Sequence, residues 1–501
     1  MSKLEELELE ILRKAIDIAE KKQQKKANGP EVQEIIQVVE EFLKNKKLIC
    51  YGGTAINNIL PEEDKFYNKD LEIPDYDFFS PNALNDAKEL ADIYARDFED
   101  VEAKAGVHFG TYKVFVNHIP VADITHMNID LFNAIKKDSI SVGGILYSPP
   151  DYLRMAMYLE LSRPGGDVSR WEKVLKRLLL LNKNYQLRGS DCLNVDFQRG
   201  FQLKNKDKEA KIFKIVRDSL IDQGCVFFGA LAHSIYASYM PKKERRIIQR
   251  NPDFDVLAVD PEYTATVVKE RLEYNGFNNI IITKKPGIGE IVAPHYEISM
   301  KGEEIICFIY EPLACHSYNV VKVENKKVKV ATIDTMLSFY LAFLYSNRDY
   351  YDPQRILCMS EFLFKVQQRN RLQQKGVLRR FSINCYGNQT TLESMRDEKA
   401  GKFKILKDKK NTKEYDEWFL RYIPSENKTK PTKTIKTKTK KEKQTKKVKM
   451  SSKESKKNKS VFSNIFKLQS ENNKDKKEKK KKKEKKTVKR KNNETFKIPL
   501  Y

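Results

Sequence analysis

A repeated order of strand, glycine turn, helix and paired aspartates most constrains what this 501-residue chain can fold into. An apolar strand at residues 48–51 leads into Gly52-Gly53-Thr54, and Asp75-Tyr76-Asp77 follows on a second strand. The same order returns later as Gly229-Ala230-Leu231 and Asp253-Phe254-Asp255. We therefore predict two copies of one α/β unit. Chance similarity of two common supersecondary patterns remains the alternative.

The pattern predicts five segments along the chain. Two amphipathic helices come first, the two α/β units follow, and a short extension precedes a lysine-rich tail. The bounds are 1–47 for the N-terminal helical region, 48–185 and 186–366 for the first and second units, 367–424 for the C-terminal extension, and 425–501 for the tail.

The charge is concentrated in the tail. Residues 425–501 contain 30 basic and 8 acidic residues, which is +22 of the net +25, so the rest is almost neutral. With few apolar residues, the tail is predicted to be disordered. Such a polycation would attract RNA or DNA nonspecifically through counterion release, although a solubilising or nuclear-targeting role is the alternative.

The cysteine content and the hydropathy of the chain indicate the cellular compartment in which it folds. Seven cysteines, an odd number without a CxxC pair, argue against a disulfide scaffold and favour a reducing compartment. The longest apolar stretches are too short to span a bilayer, and the charged N-terminus does not resemble a signal peptide. We expect a soluble protein that is not secreted and does not bind a membrane.

Three aspartates are the candidate catalytic and metal-binding residues. Asp75 and Asp77 lie two apart on a predicted strand, so their carboxylates share one face. Asp123 lies among apolar neighbours on a later strand, where an unpaired carboxylate is costly. Hard oxygen ligands select Mg²⁺ or Mn²⁺, and two bound ions can clamp an attacking hydroxyl and a leaving pyrophosphate.

The glycine turn supplies the complementary half of such a site. Gly52 and Gly53 allow the backbone to approach a phosphate closely, and Thr54 can donate from its hydroxyl. A Gly-Gly pair alone is more often a plain turn, and Asp-x-Asp alone more often a solvated strand end. Their occurrence in this order, with Asp123 downstream, favours a nucleotide-binding site.

These motifs resemble the nucleotidyltransferase fold of the DNA polymerase β superfamily. More narrowly, Tyr51-Gly52-Gly53-Thr54-Ala55-Ile56-Asn57, Ile73 to Phe79 and the two-copy layout resemble the poly(A) polymerase catalytic subunits of poxviruses and of giant, mimivirus-like DNA viruses. The resemblance covers about residues 30–424. It implies tandem nucleotidyltransferase-fold domains of α/β (α+β) class, the first catalytic and the second degenerate.

The resemblance also implies roles for residues of the first unit. Asp75, Asp77 and Asp123 would bind two Mg²⁺ or Mn²⁺ ions, and Gly52, Gly53, Thr54 and Asn57 would bind the nucleotide. The reaction would be template-independent addition of AMP from ATP to an RNA 3′ hydroxyl, with release of pyrophosphate. Lys113, His126 and Tyr147 are further candidate contacts that could equally be structural.

The second unit is predicted to be inactive. A gap-free alignment places Cys307 at the position of Asp123, and Leu231 replaces Thr54. A thiol does not replace a hard carboxylate ligand for Mg²⁺. RNA would then run along basic rows that could instead be solvated helix faces. These rows are Arg170, Lys173, Lys176 and Arg177, then Lys242–Arg246, and Arg369–Arg380.

Two rival functions remain open from the sequence. One keeps the fold and changes the substrate, as in CCA addition, uridylyl transfer or transfer to a small molecule. The other is a noncatalytic RNA-binding protein with a relic nucleotidyltransferase fold. For partners we expect an RNA 3′ end, ATP and a homodimer, with a separate processivity subunit left open. The resemblance implies a location in the virion and host-cell cytoplasm.

Overall fold

The structure is a computed structural model that describes residues 3–27, 29–68, 73–197, 206–242, 245, 253–301 and 304–424. The predicted disordered tail, 425–501, lies outside the described residues, as does most of the basic row at Lys242–Arg246. The described residues belong to one compact unit, Met1–Lys430. The five predicted segment bounds remain predictions.

Two helices open the chain, as predicted: α1 (Lys3–Ala27) and α2 (Pro30–Lys46). Pro30 occupies the first helical position of α2, where its missing N–H is not needed. Helix α2 buries Val32, Ile35 and Val39 on one face. Helix α1 leaves its apolar side chains exposed, with Leu4 at 76% and Ile11 at 69%.

The first unit is a mixed sheet with helices packed on it. Its strands run in the spatial order β3-β4-β5-β2-β1-β7-β6, with β5 parallel to β2 and β1 parallel to β7. The elements are β1 (Ile49–Cys50), α3 (Gly52–Ile59), β2 (Tyr76–Ser80), α4 (Ala83–Tyr94), β3 (Val101–Ala105), β4 (Thr111–Val116), β5 (Ile119–His126), α5 (Ile129–Lys137), β6 (Ile140–Val142), β7 (Ile145–Tyr147), α6 (Pro150–Leu161) and α7 (Trp171–Asn184).

The second unit repeats this topology strand for strand. Its order is β10-β11-β12-β9-β8-β14-β13, again with two parallel pairs at the same places. The elements are α8 (Lys206–Asp222), β8 (Val226–Phe227), α9 (Ala230–Ala237), β9 (Phe254–Leu257), α10 (Pro261–Tyr274), β10 (Ile280–Lys285), β11 (His295–Met300), β12 (Glu304–Tyr310), β13 (His316–Val323), β14 (Lys326–Ala331) and α11 (Ile333–Phe343). The predicted duplication is confirmed.

The gap-free alignment of the two copies is wrong by one residue. The β4–β5 hairpin turns between Val116 and Ile119, whereas the β11–β12 hairpin turns between Met300 and Glu304 and so holds one residue more. Asp77 pairs with Asp123, and Asp255 pairs with Phe308. The counterpart of Asp123 is therefore Phe308, and Cys307 corresponds to Ala122.

The C-terminal extension returns to both sheets. Its strand β15 (Cys385–Tyr386) pairs with β13, and its last strand pairs with β3 at the far edge of the first sheet. Between the two units, α6 packs along its counterpart α11. The elements of this region are α12 (Pro353–Arg369), β15, α13 (Leu392–Leu406), α14 (Lys413–Phe419) and β16 (Arg421–Tyr422).

Four of the seven cysteines are paired, contrary to the expectation from sequence. Cys192 is disulfide-bonded to Cys358, and Cys315 to Cys385, across 166 and 70 residues respectively. Cys315 and Cys385 lie beside the pairing of β13 with β15, so folding of the extension brings them together. Within the described residues, every helix is too short or too polar to cross a membrane.

Candidate active site

The three predicted catalytic aspartates lie on two adjacent strands of the first sheet. Asp75 immediately precedes β2, Asp77 lies within it, and Asp77 pairs directly with Asp123 on the parallel strand β5. Tyr76 and Phe78 point to the opposite face and are buried, as the strand period predicts. The fold thus brings together the three carboxylates that the sequence predicted.

The carboxylates influence one another electrostatically. Burial, with the charges of Asp75 and Asp123, raises the pKa of Asp77 to about 7. Burial and the charge of Asp123 also raise the pKa of Asp75. Lys113 on β4 lies directly across from Asp123 and bonds to its Oδ2 through Nζ. The Lys113 ammonium partly offsets the negative charge of this cluster.

A divalent cation fits the unmet demand of these carboxylates. The Oδ1 atom of Asp123 is buried and has no hydrogen-bond partner among the described residues. Within the described residues, no group of three acidic, histidine or cysteine side chains is close enough together to hold one metal ion. Lys113 is bonded to the other oxygen of Asp123. The buried acid cluster and the unpaired oxygen still match oxygen-ligated Mg²⁺ or Mn²⁺. Metal binding by Asp75, Asp77 and Asp123 remains a prediction.

The glycine turn lies directly against Asp77. Helix α3 begins at Gly52 itself, so both glycines belong to its first turn rather than to a loop before it. Gly52 has a φ of 71°, and a Cβ atom there would meet Asp77 Oδ2 at 2.6 Å. Only glycine allows this conformation and this approach together. The turn and the carboxylates therefore form one site.

Thr54 and Asn57 organise the backbone around this site. Thr54 Oγ1 donates a hydrogen bond to the carbonyl oxygen of Asp75 at 2.7 Å. Asn57 Oδ1 accepts from the backbone N–H groups of Phe66 and Tyr67 at 2.9 and 3.0 Å. Both side chains are buried. They hold Asp75 and the loop after α3, while their predicted contacts to a nucleotide remain untested.

A cavity of about 750 Å³ opens beside the carboxylates. Its volume lies within the range of small-molecule sites. It is bordered by α2, α3 and the β6–β7 hairpin. The lining side chains include Glu40, Lys44, Thr54, Asn57, Asn58, Asp75, Asp77 and Tyr147.

Arg177 and Tyr67 lie at the glycine turn, although no sequence motif places them there. The sequence predicts Arg177 in an RNA-facing row, but its Nη2 donates to the Tyr67 hydroxyl at 2.8 Å, and its guanidinium lies 4.7 Å from the centre of the Phe66 ring. A Cβ atom on Gly53 would meet both Tyr67 and Arg177. A cation therefore lies against the glycine turn, and no local sequence signal indicated it.

Three other candidate residues have contacts that bear on their predicted roles. The Tyr147 hydroxyl accepts from Asn58 Nδ2 at 2.9 Å and lines the cavity. His126 ends β5, next to the loop before β4. Arg380 is not available to an RNA groove, because it forms a bidentate ion pair with buried Asp334 at 2.8 to 3.0 Å. That part of the predicted Arg369–Arg380 row is wrong.

The second copy keeps two of the acids and replaces the third with an aromatic ring. Gly229 lies against Asp255 as Gly52 lies against Asp77. The Phe308 side chain is fully buried and stacks on Tyr350, with ring centres 5.1 Å apart. Glu297 occupies the position of Lys113 and pairs with Lys285 at 3.1 Å. The local chemistry of the site therefore differs in the second copy.

The duplicated sheet, the glycine turn at the start of α3 and the paired acids are the features in which this chain resembles the nucleotidyltransferase fold. Residues 37–167, which contain every predicted catalytic, metal-binding and nucleotide-binding residue, match the family model of the poly(A) polymerase catalytic subunit. The family resemblance inferred from the motifs is thereby confirmed for this part of the chain.

Individual viral proteins described as members of this family are similar to part of the chain. A protein of African swine fever virus described as a poly(A) polymerase catalytic subunit is 36% identical over 172 residues, which is 33% of this chain and 36% of that protein. A mimivirus protein of the same description is 27% identical over 234 residues, 43% of this chain and 38% of that protein. The chain thus matches little more than a third of the length of these relatives.

The crystal structure of the Megavirus polyadenylate synthase has the same fold. It superposes with a TM-score of 0.68 at 21% sequence identity and covers 84% of this chain and 86% of the Megavirus chain. This likeness extends the fold assignment over both units and confirms the predicted fold class.

Proposed function

We propose that this protein is a template-independent poly(A) polymerase that adds AMP from ATP to the 3′ end of RNA and releases pyrophosphate. The observation that carries the proposal is the pairing of Asp77 with Asp123 beside the Gly52 turn, within the region that matches the poly(A) polymerase family. The viral relatives make viral mRNA the proposed substrate.

In this reaction the RNA 3′ hydroxyl loses its proton to water and its oxygen attacks the α-phosphorus of ATP. The bond from that phosphorus to the oxygen bridging to the β-phosphate breaks, which releases pyrophosphate. Two ions held by Asp75, Asp77 and Asp123 would supply charge neutralisation when bound. Gly52 and Gly53 allow Asp77, Tyr67 and Arg177 to approach the start of α3 closely, and Arg177 places a positive charge there, where the triphosphate would bind. Thr54 fixes the backbone of Asp75. The protein contributes positioning and electrostatics.

Primer extension tests the proposal with a matched control from the second copy. The full chain would receive an RNA primer, Mg²⁺ or Mn²⁺, and each of the four nucleoside triphosphates separately. We expect long extension with ATP only, loss of extension in Asp77→Asn, and retention in Asp255→Asn. Equal loss in both variants, or extension that stops after CCA or uses UTP, would contradict the assignment. A folded protein that binds RNA but extends it with none of the four would favour the noncatalytic rival.

We propose a homodimer as the working assembly. Helix α1 supports it, because its apolar side chains, including Leu4, Leu7 and Ile11, are exposed. Its first turns carry Glu5, Glu6, Glu8 and Glu10 and its last turns, after Asp17 and Glu20, carry Lys21 and Lys22, so the ends of two antiparallel copies would be complementary in charge. Sedimentation of Leu7→Glu/Ile11→Glu should show a monomer; an unchanged sedimentation coefficient would remove α1 from the interface.

A separate processivity subunit is an additional proposal. Adding that subunit would lengthen the tails made on a fixed amount of primer.

We also propose the virion and host-cell cytoplasm as the location, which immunodetection in purified virions and infected-cell fractions would test. In a reducing cytoplasm the two cysteine pairs would be open, so activity should not depend on them.

A further inference from the structure

An aromatic pair beside the catalytic sheet has no part in the site described above. Phe109 lies in the loop between β3 and β4, and its side chain is 56% exposed. Its ring lies 4.3 Å, centre to centre, from the ring of Trp418 on α14. These residues are more than 300 positions apart in the sequence, and they meet because β16 adds to the edge of the first sheet.

The C-terminal extension holds this pair in place. The backbone N–H of Ala105 donates to the carbonyl of Leu420 at 2.9 Å, which fixes the end of α14 against β3. Lys399 Nζ on α13 donates to the carbonyl of Gly106 at 2.8 Å, which holds the start of the loop. The aromatic surface is therefore supported on both sides by the folded extension.

The loop that carries Phe109 lies beside the end of β5, the strand that carries Asp123. Thr125 follows Asp123 by two residues on β5, about 7 Å farther along the strand. Its hydroxyl lies 3.1 Å from that of Thr111, the first residue of β4. Phe109 precedes Thr111 by two residues. RNA that leaves the carboxylates along β5 would therefore reach the loop that carries Phe109.

The charge around the pair is positive. Lys402 Nζ lies 5.3 Å from the centre of the Trp418 ring. Residues 399–418, which include Glu414, Asp416 and Glu417 beside Trp418, contain seven lysines and four acidic residues, so the net charge is +3. Exposed aromatic rings flanked by lysines are the combination that binds single-stranded nucleic acid, because bases stack on the rings and the cations attract the phosphates.

We propose that Phe109 and Trp418, with Lys402, form a stacking platform for bases of the single-stranded RNA upstream of its 3′ end. The proposal deepens the function proposed above and rests on it for the identity of the RNA. The platform would hold the primer by base stacking and charge, without reading its sequence. It assigns to the C-terminal extension a direct part in RNA binding.

Tryptophan fluorescence tests the platform without any catalysis. The chain contains two tryptophans, so Trp171→Phe leaves Trp418 as the sole emitter. This variant would be titrated with a 3′-blocked oligoadenylate of twelve nucleotides, without ATP and at raised salt to suppress the lysine-rich tail. We expect saturable quenching by the single strand and little by an RNA duplex of equal length. Absence of quenching would overturn the proposal.

Affinity measurements complete the test. Trp418→Leu and Phe109→Leu should each weaken oligoadenylate binding about 5- to 100-fold, and Trp418→Tyr should restore most of it. Phe381→Leu, which removes a 37% exposed aromatic elsewhere, should leave affinity unchanged. Unchanged oligoadenylate affinity in folded Trp418→Leu would refute the platform. A Trp418→Leu variant whose sedimentation coefficient changes while its RNA affinity does not would also refute it, because the aromatic pair would then contact a protein. Normal binding without AMP transfer would tell against the proposed reaction only.

Discussion

Asp77 faces Asp123 across two parallel strands, whereas the residue at the same register opposite Asp255 is Phe308. The two sheets are otherwise built in the same order and pair their strands in the same senses. One copy therefore presents a pair of carboxylates at this register, and the other presents a carboxylate beside a buried ring. This difference is the physical basis for placing the proposed reaction in the first copy alone.

Replacing Gly52 with alanine should abolish activity. The added Cβ would meet Asp77 Oδ2 at 2.6 Å, and the φ of 71° is strained for alanine. We expect a loss of extension of roughly 100-fold or more, because a small misplacement of a catalytic group is costly. Gly276→Ala is the control, since Gly276 has a φ of 83° but open space around its Cβ position. It should lose about 1 kcal/mol of stability and keep its activity; equal activity loss would implicate backbone strain alone.

Replacing Arg177 with methionine should weaken the use of ATP. Arg177 lies against Gly53, where the triphosphate is proposed to bind, and methionine keeps the apolar contact with Phe66 while removing the charge. We expect kcat/KM for ATP to fall about 10- to 100-fold, the effect of losing one charge-assisted contact. Lys176→Met, on the exposed side of the same helix and in the predicted RNA-binding row, should keep the wild-type kcat/KM for ATP. Unchanged ATP kinetics in Arg177→Met would return Arg177 to a purely structural role.

Replacing Lys113 with methionine should increase the affinity of the site for divalent metal ions. Lys113 bonds to one oxygen of the Asp123 carboxylate, whose other oxygen is open to a divalent ion, so the ammonium and the ion compete for the charge of the same carboxylate. In the absence of ATP, we expect Lys113→Met to bind Mn²⁺ at least severalfold more tightly, as measured by electron paramagnetic resonance of the free ion. The matched substitution Glu297→Gln in the second copy should not alter Mn²⁺ binding. Weaker binding in Lys113→Met would mean that Asp123 is not a ligand.

Replacing Arg380 with glutamine should destabilise the fold. Asp334 is fully buried, and without its bidentate partner its carboxylate would keep only the hydrogen bond from Gln367 Nε2 at 3.1 Å. Losing one partner of a buried ion pair costs about 3 to 5 kcal/mol. Urea unfolding would measure it, with Arg379→Gln as the exposed neighbouring control. A stable Arg380→Gln protein with weakened RNA binding would instead support the original assignment to an RNA groove.

Stability should fall on acidification because of His316. Burial, with the charge of Arg163, lowers the pKa of His316 to about 3, and its ring nitrogens have no hydrogen-bond partner among the described residues. Between pH 6.5 and 3 the unfolded chain binds a proton that the folded chain does not, so stability is full above pH 6.5 and decreases below it. At pH 5 the loss is about 2 kcal/mol. His316→Phe should unfold with a correspondingly shallower pH dependence, and His118→Phe, at an exposed site, should not.

The candidate site could be predicted because its signals are local. Two carboxylates two residues apart on a strand must share a face, and a Gly-Gly pair between strand and helix indicates a close approach. The same local patterns predicted the strand–helix order of both copies. The identity of the residue opposite Asp255 could not be predicted, because one extra turn residue shifts the register of β12.

The amino-acid sequence by itself determined the duplicated α/β units, the N-terminal helices and the three acids with their glycine turn. Only the tertiary structure decided that Arg177 lies at that turn, that Arg380 is buried against Asp334, that four cysteines pair, and that Trp418 reaches Phe109. The first set depends on the period of single strands and helices. The second depends on packing between segments that are, for Phe109 and Trp418, more than 300 residues apart, which no local pattern encodes.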